Sequence, residues 1–276
     1  MSASGVVVID HSCYHYATAA ILRSQGVDFR KGLRMGWWSK LKRIVKAVVR
    51  AVIRVVVVIV TSPFKVFDLV FGWLGWPPKK LRLHIAVLRS PSGPLLSNLG
   101  DLMPSIDLLK QVLKDRCNVK VRAYSSGNKN EIDNWAQVLS DVAPPGALKV
   151  RCDWGALWDE GGEAGDYFAG HVAGWVGSFI PISLSFPITV FIVEDVDGKR
   201  GCAVPVLTDY ATMEASKIIA GDISTLGHEV AHRCNLWHFD RKNNLLYPDS
   251  SRTPPYWLMW WQRNFLRASR HVTYLF

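Results

Sequence analysis

The chain has 276 residues, of which 49% are hydrophobic and 20% are charged. These values exclude a disordered chain and are typical of a globular protein with one sizeable domain and an extension, or with two small domains. The net charge is +10, but no nucleic-acid-binding motif accompanies it, so we expect no nucleic-acid partner. The five cysteines contain no CxxC pair, which argues against a zinc ribbon and leaves a single disulfide open.

The N-terminal part of the chain divides into two segments. Residues 1–38 carry no motif that indicates a role, and their first apolar run has only five residues, so we expect no secretory signal peptide. Residues 39–78 are basic and strongly apolar. In a helix their cations would recur every three or four residues as a stripe, which consists of Arg43, Lys46, Arg50 and Arg54.

A basic stripe beside a wide face of valine and isoleucine favours a helix in the interface of an anionic membrane. Trp73 and Trp76 would then anchor its end. The alternatives are an amphipathic helix packed on protein, or a buried strand, because β-branched residues favour strands. The longest uncharged run, Val55–Phe64, has ten residues, whereas a spanning helix needs about twenty. We therefore expect peripheral membrane association through residues 39–76.

Residues 79–276 predict one compact α/β domain. Alternating or continuous apolar positions predict four strands, at Arg82–Leu88, Asn118–Tyr124, Ala147–Cys152 and Ile188–Val193. Helices are expected at Leu95–Leu113, where Pro104 is a potential break, and at residues 130–140. The glycine-rich stretch 155–177 predicts a loop. A strand, a helix and a strand in succession indicate a crossover connection and a mixed sheet.

The most informative stretch holds His228, Glu229 and His232 in the spacing HExxH. Residues four apart lie on one helix face, so both imidazoles can reach one metal ion. The opposite face is expected to pack, through Ile223, Leu226, Gly227, Val230 and Cys234. His238 lies on another face, so the chain must leave the helix and turn back before it can supply a third ligand. Asn235 stands at that turn, and asparagine tolerates the left-handed conformation that ends helices.

This stretch resembles the signature of the metzincin clan of zinc peptidases, HExxHxxGxxH, with Asn235 in place of the glycine. The clan also has a methionine-containing turn beneath its metal. The corresponding segment here keeps Tyr247 and Pro248 and has Leu246 at the methionine position. Leucine is also apolar and of similar volume, so we expect zinc binding to be retained. The resemblance is specific over residues 220–270 and absent from the N-terminal extension.

The resemblance implies a fold and a ligand set. The fold is α/β (of the α+β type), with a metzincin-like mixed twisted sheet, an active-site helix and a C-terminal helix near Pro254–Arg270, preceded by the basic apolar extension. One catalytic zinc ion would be held by His228, His232 and His238, which leaves one coordination position for water. Glu229 would then be the general base that takes up the proton of that water.

The resemblance also places the substrate. Peptides bind to clan members as an additional strand along a sheet edge, and the corresponding edge here is expected near Gly201–Pro205. Tyr247 and Pro248 would line the pocket beside the scissile bond.

Two hypotheses about function follow. The first is a zinc-dependent endopeptidase, acting on protein or peptide substrates, with a membrane-associating N-terminal segment. The alternative is a non-catalytic zinc-stabilised binding or scaffold protein that acts at a membrane or in an assembly. Glu229 favours the first hypothesis, because a purely structural zinc site has no use for a carboxylate beside an open position. No feature of the sequence indicates an oligomeric state.

Overall fold

The computed structural model describes residues 63, 65–123, 136–152, 163–172, 187–203 and 209–274, all of which lie in the unit Val56–Phe276. Its strands are β1 (Lys79–Arg89), β2 (Val119–Ala123), β3 (Ala136–Val142), β4 (Ile188–Val193), β5 (Gly201–Cys202), β6 (Tyr210–Glu214) and β7 (Val272–Thr273). Its helices are α1 (Leu99–Cys117), α2 (Pro145–Leu148), α3 (Glu163–His171), α4 (Ala215–Ile219), α5 (Thr225–Arg233) and α6 (Trp260–Ala268), and a helical segment over 65–71 leads into a 3₁₀ turn at Gly72–Leu74.

The seven strands form one mixed sheet, in which five follow the order β2-β1-β4-β6-β5 and the other two, β3 and β7, pair with β1. Strand β1 is central, because it pairs in parallel with β2, β3 and β4 and antiparallel with β7. Strand β4 pairs in parallel with β6, and the short strand β5 pairs antiparallel with β6 at the end of that order. The expected mixed α/β architecture is therefore confirmed. All six residues of β4 are buried, as its continuous apolar run predicted.

Helix α1 makes the crossover between β1 and β2. It begins at Asn98, whose side chain accepts a hydrogen bond from the backbone N–H of Asp101 at 3.0 Å. It continues past Pro104 and ends at Asn118, which has a left-handed φ of +49°. The potential break at Pro104 does not occur, and the helix runs four residues beyond the predicted end at Leu113.

Three predictions between the second and fourth strands are also wrong. Residues 136–140 of the expected helix 130–140 belong to strand β3, because pairing with β1 overrides the local helix propensity. The remainder of that helix lies outside the described residues. Part of the expected strand Ala147–Cys152 is the end of helix α2, which starts at Pro145, and proline suits a first helical position.

The third error concerns the expected loop 155–177. Part of it forms helix α3, where Phe168 is buried with its ring centroid 4.7 Å from that of Phe191. Burial against the sheet stabilises a short helix that its composition alone would not support. The C-terminal helix is present as expected, but it is shorter than Pro254–Arg270 and occupies Trp260–Ala268.

The helical segment 65–71 is tied to the domain through a buried carboxylate. Asp68 accepts a hydrogen bond from Lys79 Nζ at 2.5 Å and from the Tyr274 hydroxyl at 3.1 Å. Arg267 Nε lies 3.5 Å from the same carboxylate. The preceding part of the segment 39–78, up to residue 62, lies outside the described residues, as does the whole of residues 1–38. Within the part of the chain that the structure describes, no helix has the length and apolar character to cross a membrane.

Candidate metal centre

Helix α5 presents two histidines from one side and packs on the other. Leu226 and Val230 are 1% and 0% exposed and belong to the core between the helices and the sheet. Ile223 departs from the expected packing face, because it precedes the first turn of the helix and is 39% exposed. The start of the helix is held by Asp222, whose carboxylate accepts hydrogen bonds from the backbone N–H groups and hydroxyls of Ser224 and Thr225.

The Nε2 atoms of three histidines converge. His232 Nε2 lies 3.0 Å from His228 Nε2 and 3.1 Å from His238 Nε2, and the third separation is 3.3 Å. Ligands about 2.0–2.1 Å from a tetrahedral zinc ion stand about 3.3–3.4 Å apart, so these separations are close to those of a zinc site. Among the described residues this is the group of histidine, cysteine and acidic side chains that can hold one metal ion. The cluster fits a metzincin-like site.

The other ring nitrogens of two of these histidines have backbone partners. His228 Nδ1 lies 2.9 Å from the carbonyl oxygen of Leu245, and His232 Nδ1 lies 2.7 Å from that of Leu236. A carbonyl oxygen can only accept, so Nδ1 of His232 carries the proton and its Nε2 presents a lone pair. Nδ1 of His228 lies near both the Leu245 carbonyl oxygen and Nη1 of Arg252, which can only donate; metal binding through Nε2 requires the tautomer in which this Nδ1 is protonated and donates to Leu245. Lone pairs that face one another at about 3 Å repel unless a cation lies between them. The donor set therefore fits a bound metal ion.

Burial keeps these histidines neutral. It lowers the pKa of His228 to about 2 and that of His232 to about 4, with neighbouring cationic groups adding to the effect. The pKa of His238 is lowered in the same direction, again by burial first. Neutral imidazole is the form that binds a metal, so the site needs no large change of pH to become competent.

Glu229 lies beside the cluster and is almost fully buried. Its exposed fraction is 5%, and burial raises its pKa to about 8 against the opposing effect of Arg252 and Arg233. A Cβ atom built on Gly201 of strand β5 would lie 2.9 Å from Glu229 Oε1. Within the described part of the chain, no hydrogen-bond donor contacts this carboxylate. At neutral pH a carboxyl with this pKa is mostly protonated, and a cation bound at the three histidines would favour the ionised form that accepts a proton.

The turn after α5 brings the third histidine into place. Asn235 has a left-handed φ of +65°, and its N–H donates to the His232 carbonyl oxygen at 2.9 Å. The chain reverses direction there and returns towards helix α5. This brings the exposed His238 next to His232. This is a position where glycine or asparagine is favoured over other residues.

The turn over residues 244–248, here called the Tyr247 turn, contacts the metal-binding histidines through its backbone. Leu246 is fully buried in the core, and its N–H donates to Asn244 Oδ1 at 2.9 Å. The preceding carbonyl, of Leu245, is the partner of His228. Pro248 lines the cleft in front of the metal ligands, whereas Tyr247 is half-buried and its carbonyl oxygen accepts a hydrogen bond from Arg252.

The histidines and Glu229 open onto a cleft of about 1040 Å³. One wall is strand β5 with the following Ala203, the described part of the expected edge Gly201–Pro205. A disulfide between Cys152 and Cys202 joins this wall to the segment after α2. The sequence left one disulfide open but offered no means to pair the cysteines.

Comparison with known proteins gives distant structural similarity. The chain matches no protein-family model and no curated protein. It is similar to the crystal structure of metalloproteinase-II from Bacteroides fragilis, at 14% identity and a TM-score of 0.44, over 66% of this chain and 50% of that one. The chain therefore spans about half the length of that protein.

Two further solved structures are similar over more of their length. Archaemetzincin from Methanopyrus kandleri has 13% identity and a TM-score of 0.39, over 69% of this chain and 95% of that one. A zinc-dependent peptidase from Methanocorpusculum labreanum has 12% identity and a TM-score of 0.38, over 67% and 99%. Similarity at this level carries no conclusion about activity, which has to come from the site itself.

Proposed function

We propose that the chain is a zinc-dependent endopeptidase of metzincin type. The observation that carries the proposal is the convergence of three Nε2 atoms, at 3.0, 3.1 and 3.3 Å from one another, in a cleft that also contains Glu229. A structural zinc site is closed by four protein ligands, whereas a catalytic site has three and remains open. Among the described residues three ligands meet here, and they face a cleft large enough for a peptide.

Each side chain has a defined task in this proposal. His228, His232 and His238 would hold the zinc ion through Nε2. When bound, zinc supplies Lewis-acid activation of water as the nucleophile. Glu229 takes up a proton on a carboxylate oxygen and passes it to the leaving amine. A zinc ion held by the three histidines would oppose the effect of burial on the pKa of Glu229, because a nearby positive charge favours the ionised form, which is the form that accepts a proton.

The substrate would bind along strand β5. This strand pairs with β6 on one side and is the last strand in the order of the sheet. An extended peptide can add to such an edge through main-chain hydrogen bonds. Gly201 and Cys202 line the cleft next to Glu229, so a peptide on this edge would pass in front of the three histidines.

The test compares the wild type with Glu229→Ala and Glu229→Gln on a peptide library. We expect both variants to retain one zinc ion per chain, since the ligands are untouched, and to lose cleavage by about 100-fold or more. Glu214→Gln is the matched control, because Glu214 is a buried carboxylate outside the cleft. Equal cleavage by the wild type and the Glu229 variants would remove Glu229 from catalysis. No cleavage by the zinc-loaded wild type would favour the scaffold alternative.

We also propose that residues 39–76 attach the protein to anionic membrane. The described end of this segment supports the proposal, because it exposes a run of large apolar side chains. These are Val66, Phe67, Leu69, Val70, Phe71, Trp73, Leu74 and Trp76. Each cation near an anionic surface adds about 1 kcal/mol of attraction, so four to six of them would assist such an apolar contact.

Co-sedimentation of the full chain with anionic liposomes tests this attachment. A variant with Arg43, Lys46, Arg50 and Arg54 changed to glutamine should lose most of the bound fraction at low salt. The control variant replaces four exposed lysines elsewhere, Lys114, Lys120, Lys149 and Lys242, and should bind as the wild type does. Absence of the wild type from the liposome pellet would refute the attachment.

A further inference from the structure

Arg252 is a buried cation behind the metal ligands. Its side chain lines the cleft, and the residue is 8% exposed. Nε donates to the Ser224 hydroxyl, Nη2 to the Thr225 hydroxyl and Nη1 to the Tyr247 carbonyl oxygen, each at 3.0 Å. Nη1 also lies 3.0 Å from Nδ1 of His228; with Nδ1 protonated both atoms are donors, so this is a packing contact and not a hydrogen bond. One guanidinium thus touches the start of helix α5, the Tyr247 turn and a candidate metal ligand.

The charge of Arg252 has no carboxylate partner within ion-pair distance among the described residues. All of its acceptors are hydroxyl or carbonyl oxygens, and the two hydroxyls are themselves fixed by Asp222. Asp222 in turn is paired with Arg200 at 2.5 Å. The charges of Asp222 and Glu229 favour the cationic form of Arg252 against the effect of burial, but neither lies within ion-pair distance, and burying a cation without a direct ion pair costs free energy. A residue that bears such a cost is expected to have a role that a neutral side chain could not perform.

The planar fork of arginine explains that role. Its five N–H groups point in fixed directions, so one side chain can connect three separate backbone segments. The edge of this fork rests against the His228 ring, whose Nδ1–H is already directed to the Leu245 carbonyl oxygen. Rotation of the ring would drive it into the guanidinium or break that hydrogen bond. The ring orientation is therefore fixed from two sides.

We infer that Arg252 is a positioning residue that orients the His228 ring for metal binding and holds the Tyr247 turn against helix α5. The inference rests on the zinc site of the proposed function, but it does not depend on peptide cleavage. Outer-shell partners that orient a metal-binding histidine typically contribute 10–100-fold to metal affinity.

The decisive variant is Arg252→Lys, which keeps the positive charge and removes the fork. Because the charge is retained, any change in zinc affinity reports geometry and not electrostatic repulsion of the ion. We expect the zinc dissociation constant of the full chain, measured by competition with a chelator, to rise by about 10–100-fold. The matched control is Arg263→Lys, since Arg263 Nε donates to the Leu258 carbonyl oxygen outside the cleft; its zinc affinity should equal that of the wild type.

Two further measurements separate positioning from general stabilisation. The absorption spectrum of the cobalt-substituted protein should change in Arg252→Lys, because ligand geometry changes, and should be unchanged in Arg263→Lys. Low concentrations of guanidinium should partly restore zinc affinity to Arg252→Ala but not to His228→Ala. If Arg252→Lys does not fold, Thr225→Val removes one acceptor of the fork and should give a smaller loss of the same kind.

The inference is overturned if the zinc affinity and the cobalt spectrum of the folded variants match those of the wild type. This outcome differs from a failure of the proposed function, in which wild-type protein binds zinc tightly and cleaves no peptide.

Discussion

Gly201 lies directly against the side chain of Glu229, and the space between them admits no Cβ atom. A Cβ built on Gly201 would lie 2.8 Å from Glu229 Cγ, 2.9 Å from Oε1 and 3.0 Å from Cδ. Real Cβ atoms essentially never approach heavy atoms below 3.0 Å. A Cβ atom at this point of strand β5 would therefore require the Glu229 side chain to shift. The contact joins the edge of the sheet to the proposed general base.

Gly201→Ala should displace the Glu229 carboxylate and reduce cleavage. A shift of about 1 Å in a catalytic group can cost about 100-fold in rate, so we expect kcat to fall by that order. The zinc content should remain at one ion per chain, because the histidines are untouched. Gly170→Ala is the control, since a Cβ there has no neighbour within 4 Å. Wild-type kcat in Gly201→Ala would mean that the position of Glu229 does not limit the reaction.

His238→Ala should weaken zinc binding far more than the loss of any outer-shell partner. It leaves two protein ligands, and His238 Nε2 is one corner of the triangle of nitrogens. We expect the dissociation constant to rise by more than about 100-fold, beyond the range for outer-shell partners. His171→Ala is the control, because that imidazole lies in helix α3 near the Tyr167 carbonyl oxygen. An unchanged dissociation constant in His238→Ala would exclude His238 as a ligand.

The features that the sequence predicted depend on short spacings. The four-residue interval between His228 and His232 fixes their common direction on any helix, whatever surrounds it. The continuous apolar run Ile188–Val193 indicates a strand buried on both faces, and the structure has it next to the central strand. In both cases the spacing of the residues along the chain is enough to predict the local structure.

The features that the sequence did not predict join distant residues. Arg252 meets Ser224 across 28 positions, and the disulfide closes a loop of 50. Strand β3 was mistaken for a helix because pairing with β1, about 50 positions earlier in the chain, decides its conformation. None of these contacts can be recognised from the residues that are adjacent in the sequence. A contact map from related sequences would have been the signal that reveals them.

Asn235 should tolerate glycine but not alanine. Its φ of +65° is left-handed, and a residue with a Cβ other than asparagine or aspartate loses about 1–2 kcal/mol there. We expect Asn235→Ala to lower the free energy of unfolding of the zinc-free protein by about that amount, and Asn235→Gly to change it little. Urea titration measures both. Equal stabilities of the alanine and glycine variants would show that the turn is not left-handed in solution.

The last prediction concerns the alkaline stability of the fold and the buried thiol of Cys117. Burial raises the pKa of this thiol to about 12 from its usual value of 9.0. Between these values the folded state keeps the proton while the unfolded state releases it. The stabilising contribution is therefore complete below pH 9 and is lost as the pH rises from 9 towards 12. At pH 10 the loss should be about 1.4 kcal/mol, the equivalent of one pH unit.

Urea titrations of the wild type and Cys117→Ala at pH 8, 9 and 10 measure this loss. The alanine variant should be less stable at pH 8, because it leaves a cavity, and its stability should fall less between pH 8 and pH 10 by about 1.4 kcal/mol. Val112→Ala is the control, since Val112 is a buried residue of the same helix that does not titrate. Its curve should run parallel to that of the wild type. Parallel curves for Cys117→Ala as well would show that the thiol ionises no differently in the folded and unfolded states.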